Sequence, residues 1–245
     1  MLKKNIFNRK EKPVLRYESA VTTYPDSIVP AKKVVPDWYK KIPQFGDNKM
    51  FEDDYAENKM GIRSSVKLCV PFLDALTIGY VITLPFDLHV EDNEGVPVVR
   101  WPHNAEHTPN FRANVASEKL IPFGHYPIEF VWHPGAAYTV PKGYSILFTH
   151  PLNRHDLPFT TLTGVIDGGL VLTHTGNVPF YIKQGFKGFI EKGTPIAQII
   201  PFRQENWNSE KTKGLVEIGK LHNNSAGSVF KGWYKNTFWT KKEYN

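Results

Sequence analysis

The chain has 245 residues, of which 41% are hydrophobic and 13% aromatic, and its formal net charge is +6. This length and composition exclude a disordered protein and allow a buried core without disulfides. The single cysteine, Cys69, excludes an internal disulfide and a cysteine metal cluster, and it is predicted as a buried thiol in a reducing compartment. No apolar run reaches the roughly 18 residues of a membrane span, and the basic N-terminus lacks the apolar core of a secretion signal. We therefore expect a protein that is neither transmembrane nor secreted.

Residues 1–64 have the irregular pattern of an extended N-terminal arm. One short helix is predicted over residues 35–41, because Pro36 suits a first helical turn and Pro43 ends the pattern. Trp38 and Tyr39 lie in this helix and need a surface to cover them. They are predicted to act as assembly contacts.

Residues 65–202 have the pattern of a β body. Runs of about 4 to 7 residues are separated by glycine, asparagine or proline, which is typical of the strands of a sandwich or barrel. Residues 65–92 are predicted to give two or three strands, broken at Pro71 and Pro85. A turn at residues 141–143 is predicted to lead into a strand from Tyr144 to Thr149.

Residues 203–245 are predicted to form a helix and a tail that is both aromatic and basic. Val216, Ile218 and Leu221 give the helix a partial apolar stripe. The tail contains Trp233, Tyr234, Phe238 and Trp239 among lysines. Aromatic rings beside cations hold single-stranded nucleic acid in some proteins, which is one interpretation. The other is an arm that packs on its own body or on a neighbouring subunit, and the cost of exposing so many rings to water favours it.

Three segments in the second half of the body occur in a particular order. They are the turn and strand "PKGYSILFTH" at residues 141–150, "GVID" at 164–167 and "GTPIAQI" at 193–199. These segments resemble the motifs of the dUTPase and dCTP deaminase families, and the resemblance covers residues 141–202. It implies a β-clip or distorted jelly-roll body assembled as a homotrimer.

The resemblance also implies a set of site residues. Asp167 matches the aspartate that orients the attacking water, and a carboxylate within reach of a water suits a general base. The matching ligand-binding positions are Gln198, Arg154, His150, Gly164 and Gly193. A bound triphosphate would require Mg²⁺; without one, no cofactor and no metal are expected. An alternative is that Asp167 caps its own turn by binding the N–H two residues on.

The chain departs from the family pattern where the nucleotide would be held. The aromatic position after the aspartate is Leu170, and the arginine-serine motif falls at His150 and Pro151. Proline offers neither a hydroxyl nor an N–H to a phosphate. The residues that maintain the fold are therefore present, whereas those that grip a triphosphate are missing.

Other groups of residues contain potential metal ligands or nucleophiles. His103, Glu106 and His107 could share a helix face and hold zinc, but the flanking prolines indicate a loop. His155 and Asp156 follow His150, without the histidine-x-histidine run of a cupin. No serine-hydrolase elbow or phosphate loop occurs. A metal site is not predicted.

The whole chain is similar to uncharacterised phage and bacterial proteins with a "PDWYKKIP"-like arm, which suggests a viral source. We therefore predict a non-enzymatic structural or binding protein of a phage, in the host cytoplasm or the virion. Its partners would be its own copies and other virion or host proteins; nucleic acid is not favoured, and no membrane is expected. The alternative is a nucleotide sponge, or a nucleotide hydrolase or deaminase, of the dUTPase class.

Overall fold

The structure, a computed structural model, describes residues 12–47, 62–112, 118–172, 178–226 and 233–245. Strands predominate among the described residues, which confirms the all-β prediction. The strands are β1 Arg16–Ser19, β2 Ile28–Pro30, β3 Phe45–Asp47, β4 Ile62–Ser64, β5 Tyr80–Thr83, β6 Leu88–Asn93, β7 Val96–Arg100, β8 Asn110–Phe111, β9 Phe130–Trp132, β10 Ala136–Thr139, β11 Tyr144–Thr149, β12 Phe159–Thr161, β13 Gly164–Asp167, β14 Val178–Ile182, β15 Gly188–Ile190 and β16 Pro195–Arg203. The α-helices are α1 Asp37–Lys41, α2 Val70–Thr77, α3 Leu215–Ala226 and α4 Trp233–Thr237.

The chain divides into two compact units. The first unit combines residues up to 29 with residues 81–204, and the second combines residues 30–80 with residues 205–245. Division of the chain into an arm at 1–64, a body at 65–202 and a tail at 203–245 stays a prediction. Within the described residues, no helix has the length and hydrophobicity needed to cross a membrane.

The first unit contains the larger sheets. The principal sheet has the strand order β13-β11-β16-β5-β2, and a second has the order β12-β14-β9-β8. A third has the order β15-β6-β7, and β1 pairs with β10. Strand β11 is an interior strand of the principal sheet. Its Ser145 is opposite Asp167 of β13 on one side, and its Thr149 is opposite Gln198 of β16 on the other.

Aromatic packing fills the core of the first unit. The Trp132 and Phe180 rings stack with centroids 3.6 Å apart, and Phe159 meets Trp132 edge-on. The indole N–H of Trp132 donates to Thr161 Oγ1 over 3.2 Å, and that hydroxyl donates to the carbonyl of Ile196 over 2.6 Å. A buried indole needs such a partner, so the chain of bonds stabilises the core rather than weakening it.

The second unit contains the β3-β4 pair and the four α-helices found among the described residues. The predicted helix at residues 35–41 is confirmed as α1, which follows Pro36. The prediction of strands broken at Pro71 is wrong, because residues 70–77 form α2 with Pro71 in its first turn. Proline is tolerated there because the first N–H groups of a helix have no intrahelical partner. The predicted burial of Cys69 is also wrong, since this residue precedes α2 and is exposed.

Candidate functional site

The three segments that carry the family resemblance are neighbouring strands of one sheet. The turn at residues 141–143 leads into β11, which lies between β13 with its "GVID" residues and β16 with its "PIAQI" residues. Gly143 has a φ of 83°, the left-handed conformation that favours glycine in such a turn. The sequence order and the sheet order therefore bring these motifs together.

Asp167 lies at the end of β13 with its side chain exposed. Its Oδ1 accepts a bond from Ser145 Oγ at 2.8 Å and another from Gln204 Nε2 at 2.9 Å. The Gln204 amide also donates to Ser145 Oγ over 3.0 Å. Both donors lie outside the turn that follows Asp167. The alternative in which Asp167 caps its own turn is therefore wrong. The Oδ2 atom of Asp167 has no partner among the described residues.

Gln198 is buried in β16, with only 1% of its surface exposed. Its Oε1 accepts the backbone N–H of Leu152 over 2.8 Å. This bond ties the loop that follows β11 to the core of the sheet. Gln198 thus satisfies a partly buried backbone donor instead of projecting towards solvent.

Hydrogen bonds made by His150 and Arg154 stabilise the same loop. His150 Nδ1 accepts the N–H of Thr161, and its Nε2 lies 3.0 Å from the carbonyl of Arg154, an arrangement that suits the neutral imidazole. Burial lowers the pKa of His150, which favours the same neutral form. Arg154 makes a bidentate pair with Asp156, with Nε–Oδ1 and Nη2–Oδ2 distances of 2.9 Å.

The predicted site residues do not all lie close together in the structure. Asp167 is opposite Ser145, at the start of β11, whereas Gln198 is opposite Thr149, at its end. Four residues of strand correspond to about 13 Å. His150 and Arg154 follow Thr149 and therefore lie with Gln198, while Gly164 is opposite Phe148.

The predicted glycines have local conformational roles. Gly193 has a φ of 85°, and its N–H donates to the carbonyl of Leu84 over 2.8 Å. A left-handed φ in the turn before β16 explains why glycine occupies this position. Gly164 is the exposed first residue of β13, and a Cβ added to it would meet no atom within 4 Å.

The aromatic residues predicted as assembly arms belong to the second unit. Tyr39 is buried, its ring stacks on Phe72 at 5.8 Å, and Lys67 Nζ lies 4.3 Å from its ring centre. Trp38 meets Tyr39 edge-on at 6.0 Å. Both rings are thus packed within their own unit.

The aromatic residues near the C-terminus differ in exposure. Trp239 donates its indole N–H to Asp74 Oδ2 over 2.9 Å. Tyr234, near the start of α4, and Phe238, directly after its end, are exposed. Trp233 is the first residue of α4.

Histidine and carboxylate side chains are potential metal ligands of this chain. Residues 102–107, with the histidines and Glu106 between them, form turns and bends, which confirms the predicted loop. Across the part of the chain that the structure describes, no three histidine, cysteine, aspartate or glutamate side chains form a group that could hold a metal ion.

An apolar groove on the first unit was not predicted from the sequence. Its volume is about 740 Å³, and we call it the β7 groove. Its lining includes residues 96–99, Trp101, Pro109, Phe111, Arg112, Ile128 and Phe130. Phe111 is 69% exposed and Trp101 is 42% exposed. The groove forms where three segments that are distant in the sequence meet, and the sequence carries no signal for such a meeting.

Comparison with known proteins gives limited matches. No protein-family model matches the chain, and no curated protein matches it. The dUTPase from phage phi11 of S. aureus is similar in structure, with 16% identity, a TM-score of 0.26, and 35% of this chain and 72% of that chain covered. A mutant of that dUTPase, solved to describe the coordination of its structural Mg(II) ion, shares 19% identity at a TM-score of 0.25 over the same shares of both chains. Likenesses at this level establish neither the fold family nor the activity of this chain.

Proposed function

We propose that this protein is a non-enzymatic binding protein, encoded by a phage, whose β body serves as a homotrimeric platform for assembly or attachment. The body would be a β-clip related to the dUTPase scaffold, at work in the host cytoplasm or in the virion. The observation that supports this role is the position of Asp167 at one end of β11 and of Gln198 at the other. A triphosphate pocket formed within one chain would need these side chains to converge.

The polar groups near Gln198 are already engaged within the chain. A triphosphate with Mg²⁺ needs several oriented donors and a carboxylate close to the reacting phosphorus. The guanidinium of Arg154 is paired with Asp156, and the amide oxygen of Gln198 accepts from Leu152. A phosphate bound here would compete with these bonds, which favours a scaffold role of the loop.

Exposed apolar surface favours binding to other proteins. Phe111 and Trp101 flank the β7 groove, and the exposed side chains of α3 include Leu215 and Leu221. Contiguous exposed apolar surface is characteristic of sites that contact protein partners. The proposed platform would cover such surfaces when assembled.

The test measures mass, turnover and thermal stability on one preparation. We expect a solution mass of roughly three times the 28.0 kDa of one chain. We also expect no pyrophosphate release from any deoxynucleoside triphosphate with Mg²⁺ and no change in melting temperature. Pyrophosphate release that disappears in Asp167→Asn would overturn the non-enzymatic role, and a monomeric mass would overturn the platform.

A second candidate is a nucleotide sponge, hydrolase or deaminase of the dUTPase class, and the unpartnered Oδ2 of Asp167 favours it. In the families that the sequence resembles, each site is completed by several subunits, so Asp167 of one copy could meet Gln198 of another. A sponge would raise the melting temperature without turnover, since a ligand that binds only the folded state stabilises it. Ser145→Ala is the matched control, because it removes a neighbour of Asp167 but no carboxylate.

A further inference from the structure

The β7 groove runs along the free edge of a strand. β7 is the last strand in the order β15-β6-β7, so within the described residues only β6 pairs with it. Successive side chains of a strand point to opposite faces. Residues 96–99 all line the groove, as four successive residues do where a groove follows the outer edge of a strand. The edge therefore presents its backbone to the groove.

The register of the β6-β7 hairpin identifies the backbone groups at this edge. Glu94 and Gly95 have positive φ angles of 54° and 85°, as in a two-residue hairpin loop. The closing pair, Asn93 and Val96, is then hydrogen-bonded, and such pairs alternate along the ladder. Pro97 and Val99 consequently direct their backbone groups away from β6.

These outward groups have no partner within the described part of the chain. The free groups are the carbonyl of Pro97 and both the N–H and the carbonyl of Val99. Proline is tolerated at the outward position because no N–H is needed for the hairpin. A free edge beside an apolar groove can accept an additional strand.

Side chains of the groove indicate what that strand would carry. Phe111 and Ile128 contribute apolar surface, and Arg112 is the one charged residue in the lining. The Nη1 atom of Arg112 lies 3.4 Å from Glu129 Oε1, and half of the Arg112 side chain is exposed. A guanidinium has five N–H donors, so donors remain for a second carboxylate.

We propose that the β7 groove binds an extended polypeptide segment that adds to β7 as a further strand. Alternate apolar side chains of this segment would enter the groove, and an acidic residue would pair with Arg112. The inference rests on the proposed binding role and specifies the site and the class of partner. Main-chain bonds to Pro97 and Val99 would supply the register, and the apolar and acidic side chains would supply selectivity.

The experiment pans a phage-displayed library of random heptapeptides against the full-length protein. We expect enriched peptides to alternate apolar residues and to contain Asp or Glu. An enriched peptide, made with a fluorescent label, is then titrated by fluorescence anisotropy. We expect Val99→Pro, which deletes the free N–H, to weaken its binding about five-fold or more, in line with the loss of one hydrogen bond. Arg112→Gln should weaken the binding of acidic peptides, and Arg112→Lys should retain part of the affinity for them.

A control variant and a second measurement keep the test decisive. Phe189→Ser alters an exposed side chain of β15, at the opposite edge of the same sheet, and should leave binding unchanged. If Val99→Pro fails to fold, N-methylation of alternate peptide amides replaces it, since methylation at one set of positions should abolish binding. No enrichment, binding indifferent to Arg112 and to methylation, or occupation of the groove by a second copy of this chain would overturn the proposal. Nucleotide turnover would overturn the proposed function and leave the peptide result standing.

Discussion

Ser145 and Asp167 are direct partners across β11 and β13, and the Ser145 hydroxyl donates to Asp167 Oδ1 over 2.8 Å. Ser145 is buried, whereas Asp167 is exposed. The carboxylate therefore satisfies a buried hydroxyl and can be assigned a structural role independently of any chemistry. The two roles can be separated by substitution.

Asp167→Ala should lower the free energy of unfolding by about 1 kcal/mol, because the Ser145 hydroxyl loses its acceptor. Asp167→Asn keeps an acceptor oxygen in the same place and should be nearly neutral for stability, while it removes any basic group. Urea denaturation of both variants measures the difference. Equal losses in the two variants would contradict the structural role and direct attention to the charge.

Gly168→Ala should be strongly destabilising. A Cβ at this position would lie 2.6 Å from the carbonyl oxygen of Tyr144 and would also press against the carbonyl of Pro141. Neither backbone atom can move without disturbing the turn before β11, so we expect a loss of about 2 kcal/mol or more. Gly164→Ala is the matched control, since open space surrounds that position, and it should change stability by less than about 0.5 kcal/mol. A neutral Gly168→Ala would show that the turn relaxes.

Gln198→Ala should be destabilising through an unsatisfied donor. The Leu152 N–H would lose its acceptor at a partly buried position, so we expect a loss of about 1 kcal/mol. Gln184→Ala alters an exposed glutamine and should be neutral. Denaturation in urea compares the two variants. If Gln198→Ala were as neutral as Gln184→Ala, the loop after β11 would not depend on Gln198.

The sequence predicted elements whose signals are local. β11 has the predicted bounds Tyr144–Thr149, because a glycine turn precedes it and most of its residues are aromatic or β-branched. α2 was missed because Pro71 was interpreted as a strand breaker, although proline is also favoured in the first turn of a helix. A local signal with two meanings can be resolved only by the packing around it.

The candidate site was harder to predict than the fold. Motif order indicated that Asp167 and Gln198 belong to one sheet, but only the register shows that they face opposite ends of β11. The β7 groove depends on residues 96–101, 109–112 and 128–130, which meet through pairing of distant strands. Neither relationship leaves a pattern in the linear sequence.

Asp74→Ala should release the end of the chain in the second unit. Asp74 Oδ2 accepts from Trp239 Nε1 over 2.9 Å and from Lys242 Nζ over 2.6 Å. Because Lys242 is partly exposed, solvent screens its share, and we expect a total loss of about 1 kcal/mol. Limited proteolysis should cut after Lys241 or Lys242 faster in the variant. Asp37→Ala, which removes an exposed pair with Lys40, should leave the cleavage rate unchanged.

Stability should fall when the pH drops below the ordinary pKa of histidine, because of His150. Burial lowers the pKa of this side chain in the folded state from its usual value of 6.5, so the unfolded chain binds the proton more readily. The contribution of the neutral ring is therefore complete above pH 6.5 and is lost as the pH falls from there towards the folded pKa, by at most about 1.4 kcal/mol per pH unit. His150→Gln cannot titrate, so the difference in unfolding free energy between wild type and variant should shrink between pH 8 and pH 5. His155→Gln, at an exposed position, should keep the wild-type pH dependence. A His150→Gln profile parallel to that of wild type would assign the acid sensitivity to other groups, since a neutral buried imidazole cannot avoid this linkage.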